Sequence, residues 1–250
     1  MQITWIAPGE SLPDPALAWG PDAPVPGLLA AGGELGVERL LEAYGNAIFP
    51  WFSDNQPILW WSPDPRMVLE VARFRLHRSL RKTLERFRRQ DGYEVRIDHD
   101  FEAVIRACAA APRAGQSGTW IVPDMVEAYL GLHRAGHAHS VETWIDGRLA
   151  GGLYCVAIGR AVFGESMFAR QADASKIALA ALVSFCRRHG MPMIDCQQNT
   201  THLASLGARE MPRSAFISHV ARARRQEGPA WHFDPLYWDE LLLARPLPLT

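Results

Sequence analysis

The stretch SVETWIDGRLAGGLYCVAIGRAVFGESMF, residues 140–168, decides the fold. From His139 onward the apolar residues leave the helical period and take an extended one. Segments 140–145 and 149–158 read as two strands joined at Asp146-Gly147, a dipeptide that tolerates the positive φ angles of a tight hairpin. Gly159-Arg160 then turns the chain into a third strand over 161–168. An apolar helix over 176–189, with Asp173 or Ser175 as its cap and Gly190 past its end, follows. A short strand at Met193–Gln197 comes next. Strands, a helix and another strand after an antiparallel hairpin predict an α+β layer, a mostly antiparallel central sheet with helices on one or both sides.

Upstream of this stretch, residues 1–40 are rich in Pro and Gly and read as loops and turns. A short helix is predicted over 37–44. Two aromatic tracts follow, Ile48-Phe49-Pro50-Trp51-Phe52 and Leu59-Trp60-Trp61-Ser62-Pro63-Asp64-Pro65-Arg66, and prolines on both sides place a domain boundary near 63–66. Over 76–87, Leu76, Leu80, Leu84 and Phe87 form one helical stripe, while Arg75, Arg78, Lys82, Arg86 and Arg89 fall on nearly the opposite face. A strand at Tyr93–Ile97, a helix at Phe101–Ala110 and a helix opened by Pro123-Asp124 complete the middle. Downstream, helices are predicted around 200–206, stopped by Gly207, and over 212–225.

Composition sets the outer bounds. The chain has 250 residues, 48% hydrophobic and 21% charged, which suits one large domain or a small and a medium one. Charged residues or glycine interrupt every candidate membrane span, and the N-terminus lacks the basic and apolar regions of a secretory signal. Cys108, Cys155, Cys186 and Cys196 form no CxxC pair, as expected of reduced thiols in a cytoplasmic protein. The net charge of −1 argues against a globally basic nucleic-acid binder, so the local excess of Arg and Lys over 73–89, where Glu85 is the sole acid, carries more weight.

The two aromatic tracts resemble the signature of leucyl/phenylalanyl-tRNA–protein transferases. Further similar tracts run in order: Gly118-Thr119-Trp120-Ile121, Gly136 to Glu142, Gly151-Gly152-Leu153-Tyr154, Gly164-Glu165-Ser166-Met167-Phe168, Ala174-Ser175-Lys176, Ile194-Asp195-Cys196-Gln197 and Ser205-Leu206-Gly207-Ala208. They cover roughly 28–220. Two departures stand beside them: Asn46-Ala47 where the family usually has Arg-Gly, and Cys155 where it usually has Gly. The resemblance implies a small N-terminal α+β domain (1–64) and a C-terminal acyltransferase domain (65–250) related to the GNAT fold. It implies a monomer without metal, coenzyme A or other cofactor. The implied activity moves Leu or Phe, and less well Met, from aminoacyl-tRNA to the N-terminal Arg or Lys of acceptor proteins, marking them for N-degron degradation.

Aminolysis of an activated ester needs a neutral amine, aligned reactants and hydrogen bonds to the developing oxyanion. Asp195 and Gln197 alternate on a short strand, so both should face the same way. They either satisfy backbone groups at a strand end or, as the resemblance implies, serve catalysis. Gln197 would then contact the reacting carbonyl or amine. Asp195 would orient Gln197 or, alternatively, act as general base. Glu165, set in an otherwise apolar strand, is either an exposed edge glutamate or, by resemblance, the group that binds or deprotonates the acceptor amine. Trp51, Trp120, Leu153 and Met167 match positions of an apolar donor pocket, and some of the aromatics are equally suited to core packing or to stacking on the terminal adenine. Trp60 and Trp61 fit core packing.

Arg75, Arg78 and Lys82, on the basic face, are matched to tRNA contact, the alternative being a solvated helix face. His137 and His139 lack a third ligand for metal, and Cys196 should point away from the Asp195/Gln197 face. A coenzyme A-dependent N-acetyltransferase of the same fold is the runner-up. The segment 169–175 has no glycine and carries an acid, a poor cradle for pyrophosphate. A non-catalytic RNA-binding module would explain the basic helix but not the acidic and amide residues.

Overall fold

The computed structural model describes residues 2–111 and 121–243. Its larger sheet has seven strands in the order β11-β5-β10-β9-β8-β7-β6. In chain order these are β5 (Arg66–Glu70), β6 (Tyr93–Ile97), β7 (Ala138–Ile145), β8 (Arg148–Ile158), β9 (Ala161–Ala169), β10 (Met193–Gln197) and β11 (Arg209–Met211). Only the pairing of β9 with β10 is parallel; the other neighbours are antiparallel. The predicted hairpin and third strand form the centre of this sheet.

The strands alternate between two cores, as a period of two requires. On β8, Tyr154 and Val156 join one apolar cluster while Leu153 and Cys155 join the other. The first face is covered by α1 (Val37–Gly45), α3 (Phe101–Ala110), α4 (Pro123–Arg134) and α7 (Arg213–Ala223); the second by α2 (Arg78–Phe87), α5 (Ala174–Arg188) and α8 (Asp239–Leu242). The short α6 (Thr201–Ser205) lies between β10 and β11, with the Thr200 side chain capping it through the Leu203 amide at 3.2 Å. Helix α5 presses close on β8, where a Cβ on Gly151 would lie 2.6 Å from the Ala174 Cβ. None of the described helices is long and apolar enough to cross a membrane.

Two expectations fail, one of them in the first forty residues. The proline-rich start contains β1 (Thr4–Ile6) and the wholly buried β2 (Leu28–Gly32). With β3 (Phe49–Pro50) and β4 (Leu59–Trp61) they build a second sheet, ordered β1-β2-β4-β3. Leu28-Leu29-Ala30-Ala31 has no polar alternation because both faces are covered, so pattern alone does not mark it as a strand. Trp60 is fully buried with its indole N–H on the Gly32 carbonyl at 3.0 Å, a core role shared by Trp61. The other failure is the cap of α5. Asp173 occupies the cap position in a left-handed conformation without capping the backbone. Its carboxylate instead accepts from Lys176 at 2.8 Å and from the Thr83 hydroxyl at 3.4 Å.

Candidate active site

A cleft of about 400 Å³ opens beside β9 and β10, lined by Trp51, Leu153, Glu165, Met167, Asp195 and Gln197 among others. Two irregularities in the sheet shape its polar end. The β8–β9 register shifts between Tyr154 and Cys155, so that Gly164 and Ser166 are paired and Glu165 between them is the extra residue. The β5–β10 register shifts between Asp195 and Gln197, leaving Cys196 unpaired, and Gln197 adopts a left-handed φ of 55°. Bulges re-aim side chains and break a ladder, and here they turn polar groups into a cavity that regular strands would wall off. The simple alternation expected of Asp195 and Gln197 is thus replaced by a kink. Cys196, expected on the opposite face, also reaches the cleft wall. Burial, and then the Asp195 charge, push its thiol well above the ordinary range, so it stays protonated and is no nucleophile.

Asp195 is fully buried. Its two oxygens meet Arg66 in a fork, with Nε to Oδ1 at 2.8 Å and Nη2 to Oδ2 at 2.6 Å. The guanidinium is sandwiched between Phe49 and Phe216, 4.7 Å from each ring centroid. Oδ1 also accepts from the Gln197 backbone N–H at 3.0 Å. Asp195 therefore reaches Gln197 through the main chain. The Gln197 amide nitrogen donates to the Gly164 carbonyl at 2.8 Å and to Glu165 Oε1 at 3.2 Å. Arg66 Nη1 also lies 3.4 Å from the carbonyl of Ala47, whose φ of 62° lies in the region that favours glycine.

Glu165 keeps an opening to the cleft, yet protein surrounds its carboxyl. Desolvation pushes the carboxyl up to about 8, helped by the Asp195 charge and opposed by hydrogen bonds from Tyr44 and Tyr129 and by the Arg66 charge. Tyr129 donates to Oε2 at 3.3 Å.

The apolar wall is formed in part by Trp51, Leu153 and Met167, with Leu179, Leu182 and Leu203 beside them. Trp51 is braced edge-on by Trp61 at 5.4 Å between centroids. Trp120 lies outside the described residues. His137 and His139 are used otherwise: His139 hydrogen-bonds Asp98 at 2.7 Å and stacks on Trp231 at 4.0 Å, and His137 approaches the Ala157 carbonyl at 3.4 Å.

Arg75, Arg78, Lys82, Arg86 and Arg89 are exposed, and no acidic partner holds them among the described residues. Arg81, by contrast, faces inward to the Leu242 carbonyl at 2.9 Å. The start of α2 is tied to the rim of the cleft. The Arg75 N–H donates to the Leu206 carbonyl and the His77 ring meets the Ser205 carbonyl, both at 2.8 Å, while Thr200, His202 and Leu203 of the same segment line the cavity. A Cβ on Gly207, at φ +98°, would lie 2.4 Å from the Arg73 carbonyl, so this junction depends on glycine.

Sequence reasoning missed Arg66, Tyr44 and Tyr129 as parts of the site. Arg66 closes a quoted motif, but nothing local pairs it with a residue 129 positions away. The tyrosines fall on the inner stripes of their helices, where periodicity does not separate them from core phenylalanines.

Comparisons with known proteins identify the family. Residues 68–221 match the family model described as leucyl/phenylalanyl-tRNA protein transferase, and residues 33–64 match that of its N-terminal domain. A leucyl/phenylalanyl-tRNA–protein transferase from Polaromonas sp. is 62% identical, covering 97% of this chain and 95% of that protein. Proteins of the same name from Albidiferax ferrireducens and Paraburkholderia xenovorans are 60% and 58% identical, covering 96% and 93% of this chain and 94% and 95% of theirs. Among solved structures, L-PGS from Bacillus licheniformis is similar at a TM-score of 0.37 and 13% identity over 84% of this chain and 63% of that one, too distant to bear on function. The chain belongs to the leucyl/phenylalanyl-tRNA–protein transferase family.

Proposed function

We propose that this cleft holds an aminoacyl-tRNA ester while the α-amine of an acceptor protein attacks it. The observation that carries the reading is one cavity with an apolar wall (Trp51, Leu153, Met167) and a polar end (Glu165, Gln197), its rim joined to an unneutralised basic helix face. Leu or Phe, and less well Met, would fill the apolar part. A methylene difference discriminates by only about 1–3 kcal/mol, which suits a small set of apolar donors without branching at Cβ. Acceptors beginning with Arg or Lys would bring a cation toward Glu165. Such transfer would mark them for N-degron degradation.

In the reaction the α-ammonium loses a proton and the free amine forms a C–N bond to the ester carbonyl carbon. The bond from that carbon to the ribose oxygen breaks, and the released oxygen takes the second proton, which the nitrogen gives up as it becomes the amide. An α-amine titrates near about 7.7–8.0, close to the value of about 8 for Glu165, so the two groups are matched for proton exchange near neutral pH. Gln197 would orient the amine or the carbonyl through its amide. Asp195, with both oxygens engaged by Arg66, suits an orienting role better than that of general base. Arg75, Arg78 and Lys82 would track phosphates of the tRNA, largely without regard to sequence.

We further propose a GNAT-like acyltransferase domain over 65–250, a small N-terminal domain over 1–64, a cytoplasmic monomer and no cofactor. The coenzyme A-dependent alternative is disfavoured at the β9–α5 turn. The amides of Arg170 and Gln171 are both spent on the Ala150 carbonyl, at 2.7 and 3.1 Å, and Asp173 adds a negative charge where pyrophosphate would lie.

The test incubates the protein with radiolabelled Leu-tRNA and a peptide beginning with Arg, in parallel with acetyl-CoA and the same peptide. Label on the peptide from Leu-tRNA is the expected result. Acetylation, or tRNA binding without transfer, would overturn the reading. For the basic face, the Arg78→Ala/Lys82→Ala double variant should weaken tRNA binding and flatten the slope of log Kobs against log salt by up to about two. An unchanged slope would remove α2 from the tRNA contact.

A further inference from the structure

We propose that Tyr44 and Tyr129 are positioning residues for Glu165, two hydroxyls from different helices that hold its carboxyl beside Gln197 and set how readily it accepts a proton. That this proton comes from the acceptor amine rests on the function proposed above; the positioning itself does not.

Tyr44 on α1 and Tyr129 on α4 are both fully buried, with rings edge-to-face at 6.4 Å. Each has an otherwise apolar or aromatic setting, Tyr44 against Phe163 at 5.0 Å and Tyr129 against Tyr154 at 5.4 Å. Phenylalanine would satisfy such packing, whereas a buried hydroxyl needs a partner. Both hydroxyls find theirs in one place. Tyr129 donates its one hydroxyl proton to Glu165 Oε2 at 3.3 Å and accepts from the Tyr44 hydroxyl, which also lies close to the carboxyl. Burial first, and then the Glu165 charge, hold both phenols well above their usual range. They therefore remain donors at any pH at which the protein works.

The other groups around Glu165 come from three strands: Gln197 and Asp195 from β10, Arg66 from β5, and Tyr154 from β8, which lines the same cleft. Of these, Gln197 and Arg66 favour the carboxylate, and Asp195 opposes it. The tyrosine hydroxyls join the first group, because a donor to the anion stabilises the anion. Removing the Tyr129 hydroxyl while keeping its ring leaves the desolvation in place and takes away the direct donor, and removing that of Tyr44 takes away the donor that polarises it. Glu165 should then hold its proton to higher pH.

The test titrates the Glu165 carboxyl directly, in the full chain labelled with ¹³C-glutamate, the resonance being assigned by its loss in Glu165→Gln. In Tyr129→Phe the midpoint is expected to rise by about half to one pH unit, the equivalent of one lost hydrogen bond, and in Tyr44→Phe to rise by a smaller amount. The ascending limb of kcat/KM for the acceptor should move with it. A midpoint unchanged or lowered in both variants would overturn the proposal, since a purely structural pair of rings would alter amounts of activity without moving the titration. The two readings separate cleanly. If the resonance moves but the wild-type protein transfers nothing, the positioning stands and the proposed function fails. If the wild type transfers and the resonance stays fixed, the reverse holds.

Discussion

Arg66→Leu, with Asp195 left in place, is expected to lose about 3–5 kcal/mol of folding stability. Both partners lie in the interior, and the arginine is held by two aromatic faces as well as by the carboxylate. Taking the guanidinium away leaves an anion with no access to water and no countercharge. Its one remaining partner of those seen in the structure is the Gln197 N–H. The double variant Arg66→Leu/Asp195→Leu removes both charges and should recover most of that loss, because a desolvated ion pair returns little more than it cost to bury. Transfer activity should not recover with it, since the anchor on the Gln197 main chain is gone. Urea unfolding midpoints of the two variants, set beside their turnover, make the comparison. An Arg66→Leu protein within about 1 kcal/mol of the wild type would show that the pair is not isolated from solvent.

Gln197→Ala is expected to reduce turnover by about 10²–10³, the scale seen when one preorganised donor is removed from a reacting centre. Apparent affinity for aminoacyl-tRNA should change little, because the apolar wall and basic helix are untouched. The side chain is held unusually firmly for a glutamine at a strand end: its own amide bridges the Gly164 carbonyl and Glu165, and its backbone N–H is pinned by Asp195. Gln197→Glu is the sharper variant. It keeps the shape but replaces the donating amide with a second anion beside Glu165, so the loss should be at least as large. Single-turnover rates with preloaded Leu-tRNA separate chemistry from binding. Wild-type rates in either variant would remove Gln197 from the reacting centre.

Much of the scaffold is legible without coordinates. The basic amphipathic helix, the Asp146-Gly147 hairpin and the helix ending at Gly190 follow from periodicity and turn chemistry, which act over a few residues. Strands β2, β5 and β11 escape the same reasoning. β2 is buried on both faces, and β5 and β11 are short pieces whose strand character comes from pairing with each other and with β10.

The candidate site divides along the same line. The amino-acid sequence alone determined which residue types were available for the chemistry: an acid in an apolar strand at Glu165, an acid and an amide close together at Asp195 and Gln197, and a run of cations on one helical face. Only the tertiary structure decided what each became. A register shift against β8 turned Glu165 into the cleft, a second against β5 bent Gln197 out of line with Asp195, and Arg66 claimed the Asp195 carboxylate. Two helices distant in sequence brought Tyr44 and Tyr129 onto one carboxyl. The physical reason is range. Helical and hairpin patterns arise from neighbours along the chain, whereas a bulge, a buried ion pair or a shifted carboxyl exists only once distant segments exclude water together.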